Sequence, residues 1–161
     1  AEALLSLSCG LRAGELFALT WADIDMNNGI IFVRDPKSGK NRHAFITEKV
    51  QIALQTLAVG KEKSGLIFPT AKGTIQSQVS KEFEKAVNEL HLNDDITDER
   101  QKVVFHTLRH TFASWLVQQG TPLYTVSELM GHSSLAMTQR YAHLAPDGTR
   151  ISAMRINDIL K

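Results

Sequence analysis

The sequence predicts an α+β fold, mostly helical, with a small antiparallel sheet of about three strands near the N-terminus. Three observations carry that prediction. Apolar residues recur at helical spacing in separate stretches, above all Val50, Ala53, Leu54, Leu57 and then Val79, Phe83, Val87, Leu90. Two short strand-like runs, 30–34 and 42–47, flank the turn Lys37-Ser38-Gly39-Lys40-Asn41. Gly10, Gly120, Pro122 and Gly131 fall where helices should begin or stop.

Composition narrows the class. A chain of 161 residues suits one compact domain with a single core, and 43% hydrophobic with 22% charged residues excludes wholesale disorder. We expect one unit over residues 1–161. The lone Cys9 has no partner for an internal disulfide and fits a reducing compartment. No apolar run approaches the roughly 20 residues of a membrane span, and no signal peptide is visible. A net charge of +1 supplies no global basic field, so any nucleic-acid surface must be local. The chain opens on an apolar, helix-like pattern, and we expect it to be a fragment of a longer protein.

In order, Ala3, Leu4, Leu5 and Leu7 predict a short buried helix reaching Cys9 and ending at Gly10. A second helix, 13–19, follows, with Arg12 in the glycine-flanked corner between them. On residue type alone, Arg12 is either a surface residue or a functional one. Residues 20–25 predict a turn, Asn28-Gly29 a tight turn, and 30–34 with 42–47 a hairpin. The basic tip is either a solvated turn or a means of delivering an ammonium to a phosphate. Residues 65–69 predict a third, edge strand, because Pro69 cannot donate to a central ladder. Helices are expected over 48–58 and 76–90, and a polar loop over 93–102. Three more follow: 107–119; one with Thr121 as N-cap and Pro122 at its first position; and one after Ser134 that carries Tyr141. In the tail, Ile151, Met154, Ile159 and Leu160 make a small apolar stripe. No internal repeat or linker divides the chain.

The chemistry-bearing residues crowd into 105–141. His106, Arg109 and His110 stand at i, i+3 and i+4, which a helix gathers on one side. His110, leading into an apolar run, reads as a satisfied, partly buried histidine, and His106 at the helix entrance as the freer one. His132 follows a helix C-cap, and on its own it is equally a carbonyl-bonded structural residue or a ligand contact. Tyr141 is a phenol at a helix end, either half-buried or reactive. Zinc on His106 and His110 is disfavoured, since no glutamate lies between them and Arg109 does. A helix-turn-helix DNA reader is disfavoured too, because the helix after Gly120 is too apolar to read base edges. A fixed guanidinium matches a phosphate, and a phenol beside it suggests attack on a phosphodiester.

Five motifs occur in order: CGLRAGELFALTWADID around Arg12, the basic hairpin at Lys37, HTLRHTFASWL from His106, LMGHSS around His132, and QRYAHL around Tyr141. Together they resemble the catalytic domain of tyrosine recombinases, the phage integrase family, over nearly the whole chain. The resemblance implies that Tyr141 is the nucleophile, Arg12 and Arg109 the phosphate clamp, His106 and His132 the flanking imidazoles, and Lys37 the general acid. Glu15 matches the family's supporting acidic residue, and Lys40 and Arg42 are expected against DNA. Lys40 shares the tip with Lys37 and is the alternative acid. The implied reaction forms a 3′-phosphotyrosyl bond that a second DNA hydroxyl resolves by strand exchange, with no metal, ATP or other cofactor. The implied partner is double-stranded DNA, bound by a homotetramer on paired sites in the full-length protein; the fragment alone need not assemble. The implied location is the cytoplasm of a bacterial or phage-infected cell, at the nucleoid when acting, with no membrane partner. The family's N-terminal DNA-clasping domain is not in this sequence, so weak DNA binding is expected. A type IB topoisomerase and a non-catalytic DNA-binding module are the alternatives.

Overall fold

A computed structural model gives the fold and describes residues 1–34, 41–60, 62–146, 148, 153–154 and 156–160. Helix α1 (Glu2–Cys9) ends at Gly10, whose φ of 67° lets its N–H reach the Ser6 carbonyl at 3.1 Å. Helix α2 (Ala13–Phe17) follows, and a 3-10 turn (Trp21–Asp23) leads into the sheet. That sheet has the order β1 (Ile24–Asp25), β2 (Ile30–Val33), β3 (Arg42–Phe45), all antiparallel, with Ile24 opposite Ile31 and Val33 opposite Arg42. Then come α3 (Glu48–Ala58), α4 (Lys81–Glu89), α5 (Phe105–Gln118), α6 (Leu123–Met130), α7 (Ala136–Gln139) and α8 (Ile156–Ile159). Further 3-10 turns lie at Glu99–Gln101 and Ala142–Leu144.

Two apolar clusters hold these elements. The larger gathers Leu5, Leu11, Leu16, Ile31, Val50 and Leu54 between α1, α2, α3 and the inner face of the sheet. The smaller joins Ala113 and Val117 of α5 to Val126 and Met130 of α6 and to the ring of Tyr141. Helix α5 belongs to both, since Phe105 at its start lies in the larger cluster, and it packs along α1. The motifs around Arg12 and Tyr141 are therefore fixed to one helix.

Several expectations shift. The third strand is Ile24–Asp25, not 65–69: Leu66 makes only an isolated bridge to Thr20, and Pro69 one to Ile75. Leu19 and Gly65 carbonyls accept from Ile67 at 2.9 Å and Trp21 at 3.0 Å, so this segment is spent on the chain just before the sheet. Helix α4 starts at Lys81 rather than Gln76, because the Gln76 amide donates to the Phe68 carbonyl (3.1 Å) and to Glu2 (2.9 Å), which ties Gln76 to α1 and to the 66–69 segment, and the chain bends at 77–78 before the helix. Pro122, not Thr121, caps α6. The helix expected to carry Tyr141 stops at Gln139, leaving Tyr141 as the N-cap of the next 3-10 turn. In the tail, Met154, Ile156 and Leu160 are exposed, while Ile151 lies outside the described residues. Among the described residues no helix is long and apolar enough to cross a membrane.

Candidate active site

Two helix ends make the floor of the site. The carbonyls at the C-termini of α1 and α6 have no intrahelical donors, and a helix dipole makes such ends negative, so they attract guanidinium groups. Arg109, only 1% exposed, donates from Nη1 to the Gly10 carbonyl and from Nη2 to the Met130 carbonyl. Arg12 donates to the Gly131 carbonyl at 3.2 Å. Gly10 and Gly131 both sit at left-handed φ, and neither tolerates a side chain. A Cβ on Gly10 would lie 2.6 Å from the Phe112 ring, and one on Gly131 2.5 Å from Arg42 Cδ.

One carboxylate ties the arginines together. Glu15, in the first turn of α2, reaches back to the Arg12 backbone N–H at 2.7 Å, a capping contact. It also accepts from Arg12 Nη1 and Arg42 Nη2, each at 2.8 Å, and lies 3.8 Å from Arg109 Nη1. Three guanidinium groups share one carboxylate, which leaves the cluster with excess positive charge. Burial and Arg12 push the Arg109 guanidinium down to about 9, still well above neutrality, so it keeps its charge.

Arg42, expected on DNA, turns inward instead. Its side chain is 10% exposed and bonds Glu15 and the Gly10 carbonyl. The physical reason is strand alternation: Arg42 shares a face with Ala44, which is buried, while His43 and Phe45 face out. The period-two pattern of that strand carried the signal. Lys37 and Lys40 lie outside the described residues.

Over this floor opens a cavity of about 110 Å³, bordered by Arg12, His106, Arg109, His110, His132, Arg140 and Tyr141. It brings together Arg12, His106, Arg109, His132 and Tyr141, every expected catalytic residue among the described ones. The His132 ring is held by Thr138, whose fully buried hydroxyl lies 2.7 Å from Nδ1. Burial, then Arg109 and Arg12, push its imidazole down to about 4, so it is neutral near pH 7. Burial, then Arg109, also lowers His106; for His110 the causes are burial and then His106. Tyr141 is 5% exposed, and burial raises its phenol while Arg140 and Arg109 oppose the rise. Its hydroxyl is hydrogen-bonded to His110 Nδ1. Sequence reasoning set His110 aside as structural and did not single out Arg140. The i+4 spacing from His106 and adjacency to Tyr141 were the signals. Among the described residues, no group of three or more His, Cys, Asp or Glu side chains is placed to hold a metal.

Residues 2–147 match the phage integrase family. The chain belongs to that family. It is 32% identical over 146 residues to the tyrosine recombinase XerA of Saccharolobus solfataricus, covering 91% of this chain and 46% of that protein. It is 33% identical over 165 residues to the integrase of Salmonella phage P22, covering 96% and 41%. This phage integrase family member thus spans about half the length of the curated relatives it matches. Among solved structures, the catalytic domain of bacteriophage HP1 integrase superposes with a TM-score of 0.71 at 30% identity, covering 97% of this chain and 80% of that one. The XerH recombinase bound to its difH substrate gives 0.73 at 25% identity, covering 95% and 45%. The Tn1549 transposon integrase in complex with a circular intermediate DNA gives 0.75 at 23% identity, covering 95% and 56%, a likeness of fold.

Proposed function

We propose that this chain is the catalytic domain of a site-specific DNA recombinase in which Tyr141 attacks a phosphodiester. The observation that carries it is the shared cavity. The Tyr141 side chain and the guanidinium groups of Arg12 and Arg109 border one space, over a cluster with more positive than negative charge. A phosphodiester brings a negative charge that grows on its non-bridging oxygens as the phenol adds. Arg12 and Arg109 grip those oxygens, already fixed by the Gly131, Gly10 and Met130 carbonyls, so little reorganisation is needed. A neutral His132 whose Nδ1 accepts from Thr138 carries its proton on Nε2, free to donate to a phosphate oxygen. Lys37 protonates the departing 5′ oxygen. The phosphotyrosyl bond keeps the energy of the broken link, and a second DNA hydroxyl reverses the attack without metal or ATP.

Strand exchange is favoured over simple relaxation of supercoils by the recombinases and integrases among the relatives. Exchange between two duplexes breaks four strands and needs four tyrosines, so the whole protein acts as a homotetramer on paired DNA sites. Its place is the cytoplasm of a bacterial or phage-infected cell. The experiment offers the chain a pool of randomised, nicked DNA duplexes and isolates covalent adducts under denaturing conditions for sequencing. The wild-type chain should yield adducts with shared sequence, and Tyr141→Phe none. An adduct that survives in Tyr141→Phe removes the proposed nucleophile, and adducts without shared sequence favour the topoisomerase.

A further inference from the structure

We infer that His110 is the catalytic base that takes the hydroxyl proton of Tyr141 during attack. The inference rests on the phosphodiester chemistry proposed above and assigns a residue to a step left open there. Packing comes first: the Tyr141 ring is clamped between Ala113 and Val117 of α5 and Val126 and Met130 of α6, so its hydroxyl has little freedom of position. At that position the hydrogen bond among the described residues is the one to His110 Nδ1. His110 lies one turn before Ala113 on the same helix, so the element that grips the ring also presents the imidazole.

The other candidates are engaged elsewhere. The Nδ1 of His132 faces Thr138 at 2.7 Å, and the Glu15 carboxylate is shared among arginines. His106 packs its ring edge-on against His110, with centroids 4.5 Å apart, and has no described bond to the phenol. The charged and titratable groups facing His110 are His106 and Arg109 from its own helix, Arg12 before α2, His132 after α6, and Arg140 and Tyr141 after α7. Burial, His106 and Arg140 hold the ring below the ordinary imidazole range, so near pH 7 it is neutral and able to accept. Burial raises the phenol, so the proton does not move in the resting enzyme. It moves as the phosphorus bond forms and the phenol acidifies.

The step balances. The O–H bond of Tyr141 breaks and an N–H bond forms at His110 Nδ1. The freed electron pair makes the oxygen–phosphorus bond, and the bond from phosphorus to the 5′ oxygen breaks, its pair leaving with that oxygen, which takes a proton from Lys37. When a 5′-hydroxyl attacks in return, its proton passes to the now neutral Lys37 amine, the tyrosine oxygen–phosphorus bond breaks with its pair on the tyrosine oxygen, and the His110 imidazolium gives its proton back to that oxygen.

The test measures adduct formation by the whole chain on a nicked duplex recovered from the randomised pool, across pH 5 to 9. His110→Gln should slow formation roughly 100- to 10,000-fold, the range for losing a positioned base, and should remove the acid limb of the wild-type pH profile. His110→Gly, measured alongside, should regain rate on adding imidazole. His110→Gln within a few-fold of wild type, or slow with the acid limb intact and no imidazole rescue of His110→Gly, overturns the inference while leaving Tyr141 as nucleophile. If Tyr141→Phe also forms adduct, the underlying reading fails instead.

Discussion

Glu15 accepts from the Arg12 backbone, the Arg12 guanidinium and the Arg42 guanidinium, and lies 3.8 Å from Arg109, with 8% of its side chain exposed. Replacing it by glutamine leaves three guanidinium groups facing one another in a low-dielectric site. Breaking a buried ion pair costs about 3–5 kcal/mol. Glu15→Gln should therefore lower the thermal midpoint by on the order of 10 °C, read by circular dichroism; a shift under about 2 °C would show that the carboxylate is dispensable. At the same scale, the role proposed for Lys37 concerns the leaving oxygen alone. Lys37→Ala should slow adduct formation on ordinary DNA and recover on a 5′-phosphorothiolate, whose sulfur leaves without a proton. Rescue of Lys40→Ala but not Lys37→Ala would move the role to Lys40. Residue type alone left Arg12 and Tyr141 open in the sequence, and the five motifs taken in order singled them out as clamp and phenol. Arg42 was misplaced, because a side chain's partner is set by the face its strand buries, whereas His110 is the satisfied, partly buried histidine expected, with Tyr141 as the partner the sequence did not name.

Helix ends, more than helix bodies, build this site. α1 and α6 both stop on left-handed glycines, and their last carbonyls hold Arg109 and Arg12. Gly131→Ala meets two penalties: a left-handed backbone costs a non-glycine residue about 1–2 kcal/mol, and its Cβ would lie 2.5 Å from Arg42 Cδ. Because Arg42 is pinned by Glu15, it cannot swing clear without losing an ion pair. The variant should lose at least about 1–2 kcal/mol of stability in urea melts, and should lose adduct formation more steeply, since His132 follows directly. A variant as stable as the wild type would mean that α6 ends another way. These ends were legible in the sequence, as were α3 and the hairpin, because glycine and helical periodicity are local signals. That 65–69 stays outside the sheet and that α4 starts only at Lys81 were not. Both turn on contacts made at a distance, Ile67 to Leu19 and Gln76 to Glu2.

Across the whole molecule, the arginines and burial act together on every imidazole of the cavity, and this makes folding stability depend on pH. An unfolded imidazole titrates near 6.5, whereas His132 in the folded chain is pushed down to about 4, and His106 and His110 are lowered as well. Between those limits the unfolded chain binds more protons than the folded one. Stability then rises with pH across that window and falls as pH drops from about 6.5 toward 4; below both values these groups add no further slope. Denaturant melts from pH 4 to 7.5 should show this decline, and His132→Gln should make it shallower. Sulfate offers the check that links stability to function. A divalent anion over Arg12 and Arg109 offsets the positive field that, with burial, keeps the imidazoles neutral, so it should raise their folded values and flatten the same slope. Sodium chloride at equal ionic strength should do so far less, because it screens without occupying the cavity. A slope indifferent to both His132→Gln and sulfate would mean that the charge excess of the arginine cluster is not felt in the cavity, and a phosphodiester would find no grip there.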